Sequence, residues 1–363
     1  MKRNRGRIVQ IDTLEEFDHR LRSGARRLSG WRLMAIDLSQ RSRELRGSDV
    51  GGALFLGCTF ADHDEDSVRA RGAVVFPEVP SVPVDTYRTT LYRPDELYDQ
   101  RDYEKTLDAR TYAWSQKDHS IDATLAAALH DHAVDGALAA WISGRRLVGI
   151  MGGHALTRDQ RKYADAAQLG FLLGAHLTVA TGGGPGAMEA ANLGGYLSGG
   201  DEDDLRDALS TLGRVPGFRP DIGAWAEAAF EVRERHPQGA ESLGIPTWHY
   251  GHEPPNLFAS AIAKYFHNAQ REAILLEVCQ AGIVFLPGAG GTVQEIFQDA
   301  CENYYADESA VAPMVLIGTD YWTNEYPAWP LLKALAAGRP MEGHVHLVES
   351  VQDAAELIAA GAQ

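Results

Sequence analysis

Residues 284–300 read VFLPGAGGTVQEIFQDA. An apolar run stops at Pro287 and empties into Gly288, Ala289, Gly290 and Gly291. Thr292 follows, then a segment with helical spacing. A strand that ends in glycines before a helix leaves several backbone N–H groups free and aimed at one point, with the helix dipole behind them. Glycine is needed there because a Cβ would hold an anion away from the backbone. The Thr292 hydroxyl is offered to the same anion, and the arrangement is that of a phosphate site. A tight turn with a capping threonine accounts for the same residues. Glu295 stands one turn into the helix, about a ribose away from such a phosphate. N-glycosidic hydrolysis passes through a cationic, oxocarbenium-like sugar, which a carboxylate stabilises while it orients or deprotonates water. Taken alone, Glu295 is equally a first-turn acid favoured by the dipole. Arg271, in the preceding helical segment, either pairs with the phosphate or holds Glu295; as an isolated residue it reads as a surface charge.

Two further glycine turns share this design. One is ATGGGPGAMEAAN (residues 180–192), with Gly182, Gly183, Gly184 and Gly186 before Met188 and Glu189; the other is GIMGGH (149–154), with Gly152, Gly153 and His154. Three glycine turns at the carboxyl ends of strands predict a shared crevice for an anionic ligand. The spacing is not G-x-G-x-x-G, no acid closes the second strand, and no G-x-x-x-x-G-K-[ST] occurs, which argues against dinucleotide-fold and Walker-type sites. His249 and His252 flank Tyr250 and Gly251 with no cysteine or acid cluster to complete a zinc set, so no metal is expected. A pyridoxal-type Schiff base needs a lysine in the crevice. Lys162, Lys264 and Lys333, the lysines of this half, lie by no glycine turn.

These groups must be carried by alternating strands and helices. Strands are predicted at 146–151, 176–181, 241–248, 283–286, 314–318 and 344–350. Helices are predicted at 157–174, from Pro185, over a long stretch at 256–279, from Thr292, and near 328–337 and 351–360. This rhythm predicts an α/β fold, a doubly wound, Rossmann-like parallel sheet with ligands at its carboxyl edge. The acidic DEDDLRD and the helical stretch after it mark an insertion near 201–240, the acids reading as a solvated helix start. Residues 1–140 read as an additional N-terminal α/β domain with a connecting Ala-rich helix at 119–144, and residues 141–363 as the nucleotide-binding domain. No short-period repeat is evident. The chain has 363 residues and a net charge of -16, which disfavours nucleic acid and anionic membranes as partners. The basic start, MKRNRGR, lacks the apolar core of a signal peptide, no run of apolar residues is long enough to span a membrane, and the three cysteines make no disulfide framework. A cytoplasmic location is expected.

GGGPGAMEAAN together with PGAGGTVQE resembles the LOG family of nucleotide 5'-monophosphate phosphoribohydrolases, often labelled lysine decarboxylases. Within it, GGGPGAM and HEPPN (252–256) look most like the bacterial pyrimidine/purine nucleotide 5'-monophosphate nucleosidases. Pro287, Gly288, Gly291, Thr292 and Glu295 match the family's P-G-G-x-G-T-x-x-E, and Ala289 departs from its second glycine. The resemblance covers roughly residues 145–340. It implies release of free base and ribose 5-phosphate from a nucleoside 5'-monophosphate without cofactor, with Glu295 and Arg271 as the catalytic pair. The usual Arg-Lys pair reads Arg271-Glu272 here. Glu189 is then placed to reach the sugar, His154 to face the crevice, and Asn256 either to cap a helix or to touch substrate. The expected substrate contacts are Gly152, Gly153, His154, Gly182, Gly183, Gly184, Gly186, Met188, Glu189, Asn256, Gly288, Ala289, Gly290, Gly291 and Thr292. A homodimer or higher homo-oligomer is expected, because the helices at 119–144 and 256–279 are more apolar than solvated helices need to be. A non-catalytic nucleotide sensor and a ribose-phosphate transferase are the alternatives.

Overall fold

The computed structural model describes residues 8–79, 81–117, 120–249 and 253–361. The basic start and His252 lie outside them. The chain divides into two compact units, Met1–Thr90 with Asp118–Ala137, and Leu91–Lys117 with Leu138–Gln363. The segment Leu91–Lys117, expected in the N-terminal domain, therefore belongs to the second unit.

In the first unit, β1 (Val9–Ile11), α1 (Leu14–Arg22), β2 (Trp31–Met34), α2 (Ser42–Arg46), β3 (Leu54–Leu56), α3 (Asp64–Ala70) and β4 (Val74–Phe76) follow one another. The strands form a parallel sheet in the order β1-β2-β3-β4. Sequential order with one-handed crossovers puts every crossover helix on one face. The register pairs Val9 with Trp31, Arg32 with Leu54 and Leu54 with Val74, a strand-to-strand step of about 20–22 residues, as in solenoids. The chain thus has a repeat that its sequence hides. Ala35 and Gly57 take the same left-handed turn after β2 and β3, at φ 51° and 59°. The repeated feature is backbone geometry, and the side chains that fill it differ from turn to turn.

The second unit opens with α4 (Pro94–Leu97) and α5 (Leu107–Lys117). The helix α6 (Ile121–Ile142) starts in the first unit and ends in the second. There follow β5 (Leu147–Met151), α7 (Arg161–Gly174), β6 (Thr178–Thr181), α8 (Ala187–Leu197), α9 (Glu202–Leu212), α10 (Ile222–Arg235), β7 (Ser242–Gly244), β8 (Ala261–Ile262), α11 (Asn268–Glu277), β9 (Ile283–Phe285), α12 (Gly290–Tyr305), β10 (Met314–Ile317), α13 (Ala328–Ala336), β11 (Val345–Val348) and α14 (Val351–Gly361). The seven strands pair in parallel, in the order β11-β10-β9-β5-β6-β7-β8, and Tyr92 adds an antiparallel bridge to Ile262 of β8. The fold is the doubly wound, Rossmann-like α/β fold. The β5, β9 and β10 residues are buried throughout, which is why these strands read as continuous apolar runs. α7 packs on α8 and α14, and α12 on α11 and α13. The chain leaves β5 for β6 on one side and returns to β9 on the other, so the crevice opens at the ends of β5 and β9.

One expectation is met here and one is corrected. The acids at 201–204 do start a helix, with Asp201 accepting from the Asp203 and Asp204 amides in a capping box. The long helix at 256–279, however, does not exist. Its first half holds β8, and only α11 is helical. Apolar spacing left both options open, and burial on every side decided between them. Lys264 is 1% exposed and bonds Asp108 at 2.5 Å, and Asp108 also accepts from Trp248 Nε1 (2.8 Å) and Tyr103 Oη (2.8 Å). A lysine closed in this way belongs to a buried segment, not to one side of a surface helix.

Candidate functional site

At the end of β9 the first helical hydrogen bond of α12 runs from the Val293 amide to the Ala289 carbonyl (3.0 Å). The amides of Gly290, Gly291 and Thr292 precede it and have no acceptor among the described residues. Ala289 caps the helix without a side-chain hydrogen bond. Gly290 and Gly291 are exposed, with nothing within 4 Å of where a Cβ would stand. These are the free, unobstructed donors that an anion needs, at the head of a sixteen-residue helix. Ala289 has φ -98°, which any L-residue adopts, and its methyl is exposed. The alanine therefore imposes no backbone distortion. Thr292 is different from expectation. It is 5% exposed, and its hydroxyl lies where a Cβ on Gly288 would have to stand. It supports the loop from below, and only its amide faces the cradle. Gly288 is a close-approach glycine, 3.1 Å from the Gly153 nitrogen at the same imagined Cβ, and its carbonyl accepts from Tyr321 Oη (2.8 Å).

The other two glycine turns make close contacts inside the protein. The Gly183 amide donates to Thr181 Oγ1 (2.9 Å), the Gly183 carbonyl accepts from the Asn256 amide (2.8 Å), and the Gly184 carbonyl accepts from Asn256 Nδ2 (3.1 Å). The Ala187 amide, at the head of α8, donates to the Gly153 carbonyl (3.1 Å). A Cβ on Gly186 would stand 2.6 Å from the Gly153 and His154 carbonyls, and one on Gly152 would stand 2.9 Å from Ala187 Cβ. Met188 lies over Gly182 and Gly184, its sulfur and terminal methyl 2.8 and 2.9 Å from their imagined Cβ positions. The Gly183 amide and the Gly183 and Gly184 carbonyls are taken up inside the protein, and the glycines let three loops touch.

Asn256 differs from its expected place at a helix start. It is fully buried, caps no helix and faces no crevice. Its oxygen accepts from the Phe258 and Ala259 amides (3.1 Å each) and its nitrogen also donates to Asn192 Oδ1 (3.0 Å), so the residue fixes the glycine turn from behind. Glu189 is corrected as well. It is 1% exposed, and both its oxygens accept from Arg158, at 3.1 Å from Nε and 2.5 Å from Nη2. The guanidinium in turn lies over Trp225, 4.6 Å from the ring centre. The pair joins α8 to the inserted α10 and leaves no free oxygen for a sugar.

Arg271 and Glu295 lie near enough for their charges to interact. Arg271 sits in the first turn of α11, and its Nε is buried with no hydrogen-bond partner. One terminal nitrogen lies 3.9 Å from the imagined Cβ of Gly182. Glu295 keeps partial exposure among packed protein atoms. Burial raises its carboxyl to about 7, against the pull of the Arg271 charge and with a push from Glu272. Glu272 accepts from Asn268 and Gln294 at 2.7 Å each and ties α11 to α12. One turn beyond Glu295, Asp299 is 5% exposed, its Oδ2 has no partner, and burial pushes it to about 8. His154 is half-exposed, with Nδ1 3.8 Å from Glu253 Oε1, and Glu253 also overhangs Gly184. A cavity of about 780 Å³ adjoins the cradle, over the ends of β5, β9, β10 and β11. Gly153, His154, Gly288, Ala289 and Tyr321 line it; Glu295 and Arg271 do not.

Glu253, Asp299 and Tyr321 escaped the sequence reading. Tyr321 carried the one usable signal, a residue just past a strand that ends at the ligand edge. Among the described residues no group of three or more His, Cys, Asp or Glu is placed to hold a metal, and no helix is long and apolar enough to cross a membrane. No family model and no curated protein matches the chain. Among solved structures the chain is similar to a molybdenum cofactor binding protein from the phototrophic bacterium Rippkaea orientalis, at 18% identity and a TM-score of 0.37, covering 60% of this chain and 96% of that one. It is also similar to the molybdenum cofactor carrier protein of Chlamydomonas reinhardtii, at 17% identity and a TM-score of 0.36, covering 60% and 97%.

Proposed function

We propose that this chain hydrolyses the N-glycosidic bond of a nucleoside 5'-monophosphate in the cytoplasm, giving free base and ribose 5-phosphate. One observation carries the reading. A carboxyl raised to about 7 (Glu295) stands near a guanidinium with an unpaired, buried Nε (Arg271), one turn from an open cradle of three free amides. A site that only gripped phosphate needs the cradle and no acid behind it. The amides of Gly290, Gly291 and Thr292 take the phosphate. Glu295, ionised in about half the molecules near neutrality, accepts a proton from water and faces the developing positive charge of the sugar. Arg271 keeps part of the Glu295 population ionised and supplies a donor to the bound nucleotide. The matched residues of the LOG-like motif, Pro287 to Glu295, support the same chemistry.

A homo-oligomer is part of the proposal on narrower grounds than the sequence suggested, since the apolar helix at 256–279 is absent. The remaining ground is α6, where Ile121 is 87% and Leu125 40% exposed. The test of function is incubation with a panel of nucleoside monophosphates and the matching nucleosides, with free base followed by chromatography. Base is expected from at least one monophosphate and little from its nucleoside. Equal turnover of the two would refute a phosphate cradle at 288–292.

A further inference from the structure

We infer that the cavity beside the cradle is the base compartment, and that Tyr321 is the aromatic wall on which the base of the nucleotide stacks. The inference rests on the nucleotide reading above and adds where the base goes. The first argument is space. On the Gly182 side, Met188 covers the glycine faces and Arg271 stands close by. On the Tyr321 side lies a cavity of about 780 Å³, of a size that holds small organic ligands. It shares Gly288 and Ala289 with the cradle, so one molecule can place its phosphate on the amides and its base in the cavity.

The second argument is rigidity. Tyr321 belongs to a π-helical turn, Tyr321–Glu325, of the kind that recurs at functional sites. Its hydroxyl donates to the Gly288 carbonyl, its ring stacks on Tyr326 at 5.3 Å and 24°, and Trp322 meets it edge-on at 4.9 Å. A tyrosine fixed at its hydroxyl and backed on one face is a preorganised platform. It loses little freedom when a planar ligand lands on it. The exposed amides of Gln160 and Gln352, also in the lining, offer both donors and acceptors to a base edge. Because the Tyr321 hydroxyl holds the loop that carries the phosphate, the same residue sets the distance between the two ends of the nucleotide.

The test is equilibrium binding, independent of turnover, with the full chain. Wild type, Tyr321→Leu and Tyr321→Phe are each titrated with the tightest-binding monophosphate of the panel and with ribose 5-phosphate, which has the phosphate and sugar but no base. Loss of one base–aromatic contact is expected to weaken nucleotide binding by about tenfold or more in Tyr321→Leu. Both variants lose the hydroxyl bond to Gly288, so ribose 5-phosphate binding is expected to change equally in the two, and the extra loss of nucleotide in Tyr321→Leu reads the ring. Tyr321→Phe keeps the ring and is expected to keep most of the nucleotide affinity. Unchanged nucleotide binding in Tyr321→Leu, or equal loss of both ligands in a variant whose unfolding transition is intact, would overturn the assignment. Wild type that binds a monophosphate without cleaving it overturns the hydrolase, while the ratio of the two affinities still decides the stacking. Wild type that binds no monophosphate overturns both.

Discussion

Replacing Arg271 by Gln removes the charge that holds the Glu295 carboxyl down at about 7. An opposite charge in the immediate surroundings is worth roughly 1–3 pKa units, and the partial exposure of both groups argues for the low end, about one unit. The sign follows from the role. A general base works ionised, so kcat/KM rises with pH through the Glu295 pKa, and the rising limb should move from about 7 to about 8 in Arg271→Gln. At pH 7 the ionised fraction then falls from about one half to about one tenth, a fivefold loss that disappears above about pH 9. A further loss of phosphate binding or orientation would lower the whole profile without moving the limb, so the two effects separate. The assay is initial base release between pH 5.5 and 9.5 on the best monophosphate. Arg271→Lys restores a charge and should return the limb toward its original place. A limb that stays at 7 in Arg271→Gln, or moves to lower pH, would show that Arg271 does not tune Glu295.

Other variants test other links. Glu295→Gln keeps shape and removes the proton acceptor, so base release should fall about a hundredfold or more while nucleotide affinity, measured by titration, changes far less. Asp299 is buried with a folded pKa near 8, so the native state holds a proton that the unfolded chain gives up in the ordinary carboxylate range. Wild-type stability should therefore decline as pH rises from about 4 to 8. Asp299→Asn, which mimics the neutral acid, should gain roughly 1–3 kcal/mol at neutral pH by chemical denaturation and nothing at pH 3. Arg158→Met leaves Glu189 buried without its partner and should cost about 3–5 kcal/mol, with Arg158→Met/Glu189→Met recovering most of it. A single variant no less stable than wild type would mean that the ion pair does not hold the insertion.

The architecture of the second unit was legible because its signal is local. β5, β9 and β10 are short apolar runs closed by glycine or proline, and alternation with amphipathic segments leaves few topologies. Its failures share one cause, a partner far away in sequence. Nothing within 256–279 says that Lys264 meets Asp108, 156 residues earlier, and without that partner the stretch reads as helix. The step of the first unit is hidden for the related reason that register fixes backbone positions and leaves side chains free to vary. The glycine turns show the same limit where it matters most. GGGPG and PGAGG look alike on paper. One has its Gly183 amide and two carbonyls taken by Thr181 and Asn256, the latter 72 residues beyond Gly184, while the other carries three amides at the head of α12 over glycines that are open to solvent. A glycine cluster signals close approach, and only the fate of its N–H groups tells whether the approaching group is a ligand or the protein's own backbone.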